Sequence, residues 1–247
     1  MKNRFVLFAI LLFSLLGIKG MSQIPNEDFD SLPIVWFEDT AFQITEFDLI
    51  EITSDDFNKY ASKETPFLYT SKSIQYNEEG YFTISSGNNK YTFQETGEYE
   101  GSYNYLGTSP DLRAHYIAHC GEGTCDDILL DTVNSANMYV PSGFDQGVLG
   151  AIVSNDGKYF LAYSSYDGPD YEYAYSIRST FSVFRISKNK GVLGLEPYAL
   201  FESTDWSIDQ MVWMDAESVG LKVYSCNYNE NLGEEEYSYF RINLFKD

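Results

Sequence analysis

The sequence predicts an antiparallel, all-β protein with one short helix, and three observations support this prediction. Aromatic residues that favour strands are abundant, with 21 Tyr and 18 Phe among 247 residues. Apolar runs of strand length alternate with turns rich in Gly, Asn and Asp over most of the chain. Segments of similar pattern also recur along the second half of the chain, about 45–60 residues apart.

The N-terminus has the three parts of a secretory signal peptide. Lys2 and Arg4 are basic, residues 5–16 form an apolar run, and small residues are frequent in the stretch 17–22. The apolar run is shorter than the roughly 20 residues that a helix needs to cross a bilayer. We therefore expect residues 1–22 to be cleaved and the protein to be periplasmic or extracellular, with a retained anchor as the alternative.

The net charge limits the range of partners. The chain has 16 basic and 37 acidic residues and a formal charge of −21. Removing residues 1–22 takes away three basic residues and no acid, which leaves 13 basic residues and a charge near −24. Phosphates and anionic lipids repel such a chain, so we expect no nucleic-acid binding and no membrane insertion after cleavage. A partner, if there is one, is expected to be a protein or a glycan, and basic rather than acidic.

Residues 23–75 are predicted to form an N-terminal lead-in with one strand and one short helix. The stretch 34–37 is apolar and β-branched at its start, which favours a strand. A helix is predicted near residues 55–62, with Ser54 as its N-cap and acidic residues in its first turn. The pair Thr65-Pro66 disfavours continuation of that helix.

Residues 76–247 are predicted to form a domain of β-repeats. Strands are expected near residues 81–84 and 90–93, around a Gly-Asn-Asn turn, and near 114–119. In the strand at 158–165, apolar or aromatic side chains occupy both faces. That pattern is typical of a strand whose sheet is covered on both sides.

The repeat consists of a strand end, a polar turn, an apolar strand and, further on, a second strand. Its first piece occurs at residues 109–120, 154–165 and 213–225, and its second piece at 128–131, 182–186 and 238–242; residues 78–85 form a weaker copy. Units of this length suit one four-stranded blade of a β-propeller. Three or four copies are few for a closed ring, so both a propeller-like ring and an open stack of blades are expected architectures.

One turn of the repeat resembles a known motif. Ser154-Asn155-Asp156-Gly157-Lys158 is similar to the S-P-D-G-K turn of exported bacterial β-propellers of the TolB and WD40-like kind, and Ser109-Pro110-Asp111 repeats its first half. The resemblance covers about residues 75–245. Asn replaces Pro at position 155, the third copy keeps only Asp215, and the Trp-Asp pair of WD40 blades is missing. The resemblance implies a propeller-like fold among uncharacterised exported proteins and implies no activity.

Cys120 and Cys125 flank a four-residue stretch of hairpin-turn composition, so they are expected to face each other across the mouth of a hairpin. An exported protein meets oxidising conditions, which favours a disulfide between them over free thiols. A zinc site with His115 and His119 is the weakest alternative, because Cys120 points to the opposite face of the strand from both histidines. Cys226 remains, and such a residue is more often a buried thiol than a reactive one.

Nothing in the sequence predicts a catalytic residue or a resident cofactor. Both histidines lie in one predicted strand, and the G-x-S-x-G elbow and a glycine-rich phosphate loop before a helix are absent from the sequence. The sequence therefore favours a non-enzymatic binding module. A glycan-acting hydrolase with paired carboxylates is the alternative, since 37 acids allow many pairs.

The candidate binding residues lie in the loops between the two pieces of each repeat. Equivalent loops of stacked repeats emerge on one rim, and such rims are where repeat folds bind. We expect an acidic, Tyr-rich rim that meets a basic protein surface or a glycan. Ca²⁺ is the weaker possibility, because no loop has the spacing of an EF-hand or of a nonapeptide calcium repeat. The candidates are Asp167, Asp170, Tyr171, Glu172, Tyr173, Glu234, Glu235 and Glu236.

Overall fold

The structure is a computed structural model. It describes residues 29, 32, 34–35, 43–44, 46–63, 66–69, 74–95, 101–166, 177–224 and 237–245. The expected signal peptide, residues 1–22, lies outside this part of the chain. None of the helices in the described part is long and apolar enough to span a membrane.

Strands dominate the described residues, as the sequence predicts, and one α-helix accompanies them. The strands are β1 (Ile34–Val35), β2 (Gln43–Ile44), β3 (Leu49–Glu51), β4 (Tyr81–Ser86), β5 (Asn89–Gln94), β6 (Ser102–Ser109), β7 (Ala114–Gly121), β8 (Thr124–Asp131), β9 (Asn137–Val140), β10 (Gly150–Val153), β11 (Tyr159–Ser165), β12 (Ser179–Ile186), β13 (Leu195–Ser203), β14 (Ser207–Trp213), β15 (Ser218–Tyr224) and β16 (Tyr237–Asn243). The helix, α1, is Ser54–Ala61, and a 3-10 turn spans Gly191–Gly194.

These strands form three large sheets and a hairpin. Sheet A has the order β1-β9-β8-β7-β6, sheet B has β10-β11-β12-β13-β2, and sheet C has β14-β15-β16-β3. Hairpin D is the pair β4-β5. Within each sheet the strands that follow one another in sequence pair antiparallel, which confirms the predicted all-β, antiparallel class. No sheet closes on itself among the residues that the structure describes.

One of the two edge strands of each large sheet comes from the N-terminal segment. This belt, residues 34–51, adds β1 to sheet A, β2 to sheet B and β3 to sheet C in that order. β1 and β2 run parallel to β9 and β13, whereas β3 is antiparallel to β16. Two parallel pairs therefore qualify the antiparallel prediction, and the lead-in is part of the same sheets as the repeats.

The segments that align in sequence occupy matching places in sheets A, B and C. Leaving the belt strands aside, each of sheets A, B and C begins with two strands joined by a polar turn. These turns are residues 110–113 between β6 and β7, 154–158 between β10 and β11, and 214–217 between β14 and β15. The second pieces of the repeat lie in the third strands, β8, β12 and β16. The aligned segments therefore lie at corresponding positions of sheets A, B and C.

The sheets stack face to face in the order hairpin D, A, B, C. Sheet B is covered on both sides, and β11 shows this clearly. Phe160 and Ala162 pack with the face of sheet A, whereas Leu161 and Tyr163 pack with the face of sheet C. The prediction that strand 158–165 is buried on both faces is therefore confirmed.

Helix α1 covers the outer face of sheet C. Phe57, 1% exposed, packs on Tyr239 with ring centroids 5.5 Å apart and lies against Gly220. The N-cap is Thr53 rather than the predicted Ser54. Thr53 has an extended backbone, and its hydroxyl accepts the Asp56 N–H, the bond that an N-cap side chain makes to the third helical residue.

Candidate functional site

The second-to-third-strand hairpins of sheets A and B end on the same side of the stack. The chain between β9 and β10 connects them on this side. Cys125 N donates to Asp145 O at 2.6 Å near the start of β8, and Leu149 N donates to Tyr163 O at 2.9 Å near the end of β11. The ring of Phe144 also stacks on Tyr166, which directly follows β11, at 6.2 Å.

The corresponding hairpin of sheet C ends on that side too. The Ser165 hydroxyl at the end of β11 accepts the Ile208 N–H and donates to Ile208 O. Ser207, which precedes Ile208, pairs with Tyr224 at the end of β15. We call the side where hairpins β7–β8, β11–β12 and β15–β16 end the hairpin rim.

The acidic loop candidates belong to two of these hairpins. All eight, Asp167, Asp170, Tyr171, Glu172, Tyr173, Glu234, Glu235 and Glu236, lie outside the described residues. The strands on either side of them are described, and Ser165 pairs with Ser179 and Tyr224 with Tyr237. The structure therefore locates the bases of these loops on the hairpin rim.

An aromatic and basic cluster lies at the base of the third loop. The rings of Tyr224 and Tyr237 meet edge to face at 5.8 Å. Lys222 Nζ lies 3.7 Å from the centre of the Tyr237 ring and 2.8 Å from Asp209 Oδ2. A lysine on a tyrosine ring is a favourable cation–π pair, so this contact stabilises Tyr237 at the start of β16, where the loop ends.

Cys120 and Cys125 are joined by a disulfide in the structure, with Cα atoms 4.0 Å apart. They are directly paired residues of β7 and β8, and the hairpin turn between them contains Glu122 and Gly123. Both turn residues have positive φ, 52° and 88°, as a tight hairpin turn requires. The disulfide thus closes the hairpin that sheet A contributes to the rim.

Asp127, 6% exposed, is a buried carboxylate near the rim. It accepts the Val148 N–H at 2.7 Å and is hydrogen-bonded to the Tyr116 hydroxyl. Burial raises its pKa above the usual range, although both hydrogen bonds act in the other direction. Burial and the neighbouring Asp127 also raise the pKa of Tyr116. The carboxylate therefore links the β9–β10 connection to sheet A by hydrogen bonds. Both bonds are made to buried or half-buried groups of the protein and do not extend across a cleft.

We expect Asp127→Asn to gain stability relative to the wild type as pH rises. Folding raises the pKa of Asp127, so the folded state holds the proton more strongly, and ionisation above the folded pKa costs stability. The asparagine does not ionise and avoids this cost. Urea unfolding of both proteins at pH 4 and pH 8 measures this pH-dependent cost. The difference in unfolding free energy, Asp127→Asn variant minus wild type, should be more positive at pH 8.

Asp127→Ala is the companion variant. It leaves the Val148 N–H and the Tyr116 hydroxyl without their acceptor, which should cost about 1–3 kcal/mol at pH 7. A pH-independent difference for Asp127→Asn would show that this carboxylate has an ordinary pKa in the folded protein.

The two histidines lie on the face of sheet A that packs against hairpin D. His115 Nδ1 is 3.2 Å from both the Tyr105 and the Thr108 hydroxyls, and its Nε2 is 3.2 Å from Ser85 O. Burial lowers the pKa of His115, which favours the neutral ring. His119 stacks on Tyr103 with ring centroids 4.3 Å apart. In the described part of the chain, no group of three or more His, Cys, Asp or Glu side chains is arranged to hold a metal.

A pocket of about 330 Å³ lies between the first strands of sheets B and C. Ala61, Pro66 and Phe67 form one wall, residues 150–152 of β10 form another, and Tyr163 and Gln210 complete the lining. β14 packs against β10 and β11 at this place. We call it the axial pocket. It lies toward the hairpin rim, since Tyr163 and Gln210 are within three residues of the rim ends of β11 and β14.

The axial pocket combines aromatic surface with hydrogen-bonding groups. Gly150 pairs with Tyr163, and a methyl group at Gly150 would overlap the tyrosine ring, so the glycine lets this ring lie on the backbone. Ser154 N donates to Tyr159 O, so these two residues form a hydrogen-bonded pair. Hydrogen-bonded and non-hydrogen-bonded pairs alternate along an antiparallel ladder. Ala151 is therefore at a non-hydrogen-bonded position, and its N–H and C=O face the edge of β10 that pairs with none of the described strands.

The sequence offered no signal for this pocket, because its walls come from four segments that are far apart along the chain. Its described lining contains no carboxylate, imidazole or thiol, so these residues supply no general acid, base or nucleophile. No family model, no curated protein and no solved structure matches this chain. Function is therefore argued from the rim and the axial pocket.

Proposed function

We propose that this protein is an exported, non-enzymatic binding module of propeller-like type that binds its partner with the hairpin rim. The observation that carries the proposal is the common direction of the three hairpins β7–β8, β11–β12 and β15–β16. Loops at matching places of successive sheets then form one continuous surface. Export is proposed from the basic and apolar pattern of residues 1–22.

Three features support a propeller-like arrangement. Sheets A and B each contain four consecutive antiparallel strands and one belt strand, and sheet C contains three consecutive antiparallel strands and β3. The sheets pack face to face in chain order, and the repeat segments occupy matching positions. A stack of sheets that does not close into a ring fits these features. Helix α1 covers one end of this stack and hairpin D covers the other.

Charge complementarity narrows the partner. The formal charge of −21 and the acidic loops that leave the rim favour a basic protein surface or a neutral glycan, and disfavour polyanions. Tyr166 and Tyr237 at the loop bases add aromatic contact area, which binding surfaces use because it costs little conformational entropy. Calcium bound by the loop carboxylates is a further possibility that the same test covers.

The test compares two triple variants with equal loss of charge. Asp167→Asn, Asp170→Asn and Glu172→Gln remove rim acids, whereas Asp111→Asn, Glu196→Gln and Glu217→Gln remove exposed acids away from the rim. A lysine-rich peptide, a neutral glycan set and Ca²⁺ serve as probes in biolayer interferometry and thermal-shift assays. The rim variant should lose most of the binding of at least one probe, and the control should keep it.

Equal behaviour of the two triple variants would overturn the rim as the binding surface. If the peptide binds, its affinity should fall steeply with salt, because contacts between exposed charges are screened.

A further inference from the structure

We infer that the axial pocket binds one neutral sugar residue, either free or as the end of a glycan. This inference rests on the proposed function in taking the protein to be a binding module, and it names a ligand class and a site separate from the acidic loops.

Charge argues for a neutral ligand. The described lining of the pocket contains no charged side chain, so an ion would lose its hydration there without gaining a partner. An anion would also be repelled by the formal charge of −21. A volume of about 330 Å³ accommodates a single ring-sized group rather than a folded segment.

The polar groups of the pocket match hydroxyls. Ala151 presents an N–H donor and a C=O acceptor on the edge of β10 that no described strand pairs with, as the alternation of the ladder requires. Gln210 adds an amide that can donate and accept, and its side chain makes no hydrogen bond with the described residues. A ring that bears several hydroxyls can use donors and acceptors of both kinds at once.

The apolar groups match the other surface of a sugar. Phe67 and Tyr163 line the pocket with aromatic rings, and the C–H faces of a pyranose pack on such rings. Both rings are held from behind. Phe67 stacks on Phe160 at 5.6 Å and meets Tyr116 edge to face at 5.6 Å, and Tyr163 is 8% exposed and lies on Gly150. The site is therefore preformed, which reduces the entropic cost of binding.

The experiment measures binding of neutral sugars to the full mature chain. Glucose, galactose, mannose, N-acetylglucosamine and their methyl glycosides are tested by saturation-transfer NMR and calorimetry. One sugar should bind with a Kd of about 1 mM, the range set by a dozen heavy atoms. Since the ligand is uncharged, its affinity should not change between low and high salt.

Two variants test the location. Gln210→Ala removes the amide and should weaken binding about tenfold, the effect of losing one or two hydrogen bonds. Ala61→Leu extends a side chain from the end of α1 into the pocket and should abolish binding. Gln94→Ala, a half-buried glutamine on hairpin D, is the matched control and should bind like the wild type. Circular dichroism and melting curves show whether each variant is folded.

Sugar binding that Gln210→Ala and Ala61→Leu leave unchanged would overturn the inference, as would the absence of binding by every sugar at 50 times the expected Kd, about 50 mM. If a sugar binds and only the rim variant loses it, the axial pocket is excluded and the rim proposal stands. If the pocket variants lose it and the rim variant keeps it, the pocket is supported independently of the rim.

Discussion

Replacing Phe160 with Ala is expected to lower the free energy of unfolding by about 3–5 kcal/mol, the usual cost of truncating a buried Phe. Phe160 is fully buried in β11, between sheets A and B. It stacks on Phe67 and on Phe184, each with ring centroids 5.6 Å apart. Both neighbours would border the resulting cavity, and they come from different parts of the chain, so the site cannot collapse easily.

Urea unfolding of residues 23–247, followed by tryptophan fluorescence, measures this loss. Phe160→Leu keeps most of the volume and should cost clearly less than the alanine variant. Leu193→Ala, at a side chain 54% exposed, is the surface control and should change stability by less than about 0.5 kcal/mol. A cost below about 1 kcal/mol for Phe160→Ala would contradict the packing of sheet A on sheet B through this ring.

Replacing Asp131 with Ala is expected to cost about 3 kcal/mol, because a fully buried acceptor of several N–H groups is lost. Asp131 Oδ1 accepts the N–H groups of Val133 and Asn134 at 2.7 and 2.9 Å. Asp131 Oδ2 accepts the N–H of Val192 at 2.9 Å, in the 3-10 turn before β13. One carboxylate thus orders a turn of sheet A and attaches it to sheet B, on the side away from the rim.

A conservative variant separates these roles. Asp131→Asn keeps one side-chain oxygen that can accept the N–H groups of Val133 and Asn134. Its NH₂ group would face the Val192 N–H, and two donors cannot bond to each other, so we expect an intermediate loss of unfolding free energy. Gly191, with φ of 60°, lies directly against the carboxylate, and a side chain there would overlap it. Asp111→Ala, in an exposed turn, is the control. Equal stability of the Asp131→Ala and control variants in thermal melts would refute the bridging role.

Long strands with clear patterns could be predicted from the sequence. The strand at 158–165 has apolar side chains on both faces, and the structure explains this pattern because sheet A covers one face and sheet C the other. The stretch 55–62 reads as a helix because acids follow a capping residue, and the observed helix is shifted by one residue since Thr53 rather than Ser54 makes the capping bond. Local patterns suffice where local physics decides.

The prediction of a strand at 34–37 is confirmed for residues 34–35, which form β1, but the sheet that it joins could not be predicted, nor could β2. β1 and β2 have two residues each, too few for any alternation, and their positions depend on partners far along the chain. Similar reasons apply to the candidate site. The pairing of Cys120 with Cys125 follows from a short spacing, whereas the axial pocket joins residues of α1, β10, β11 and β14, and only the packed sheets bring them together.

The belt also has a consequence for the order in which the molecule assembles during synthesis. Residues 34–51 are synthesised well before the strands that they pair with: β1 pairs with Asn137, β2 with Ala199 and β3 with Arg241. β1, β2 and β3 therefore cannot form these pairs until their partner strands have been made, and contacts between such distant residues slow folding. The last of the described strands in chain order, β16, is also the one that pairs with β3. Sheet C therefore gains β3 only after β16 has been made, and a product truncated before β16 would leave the edge of β15 exposed.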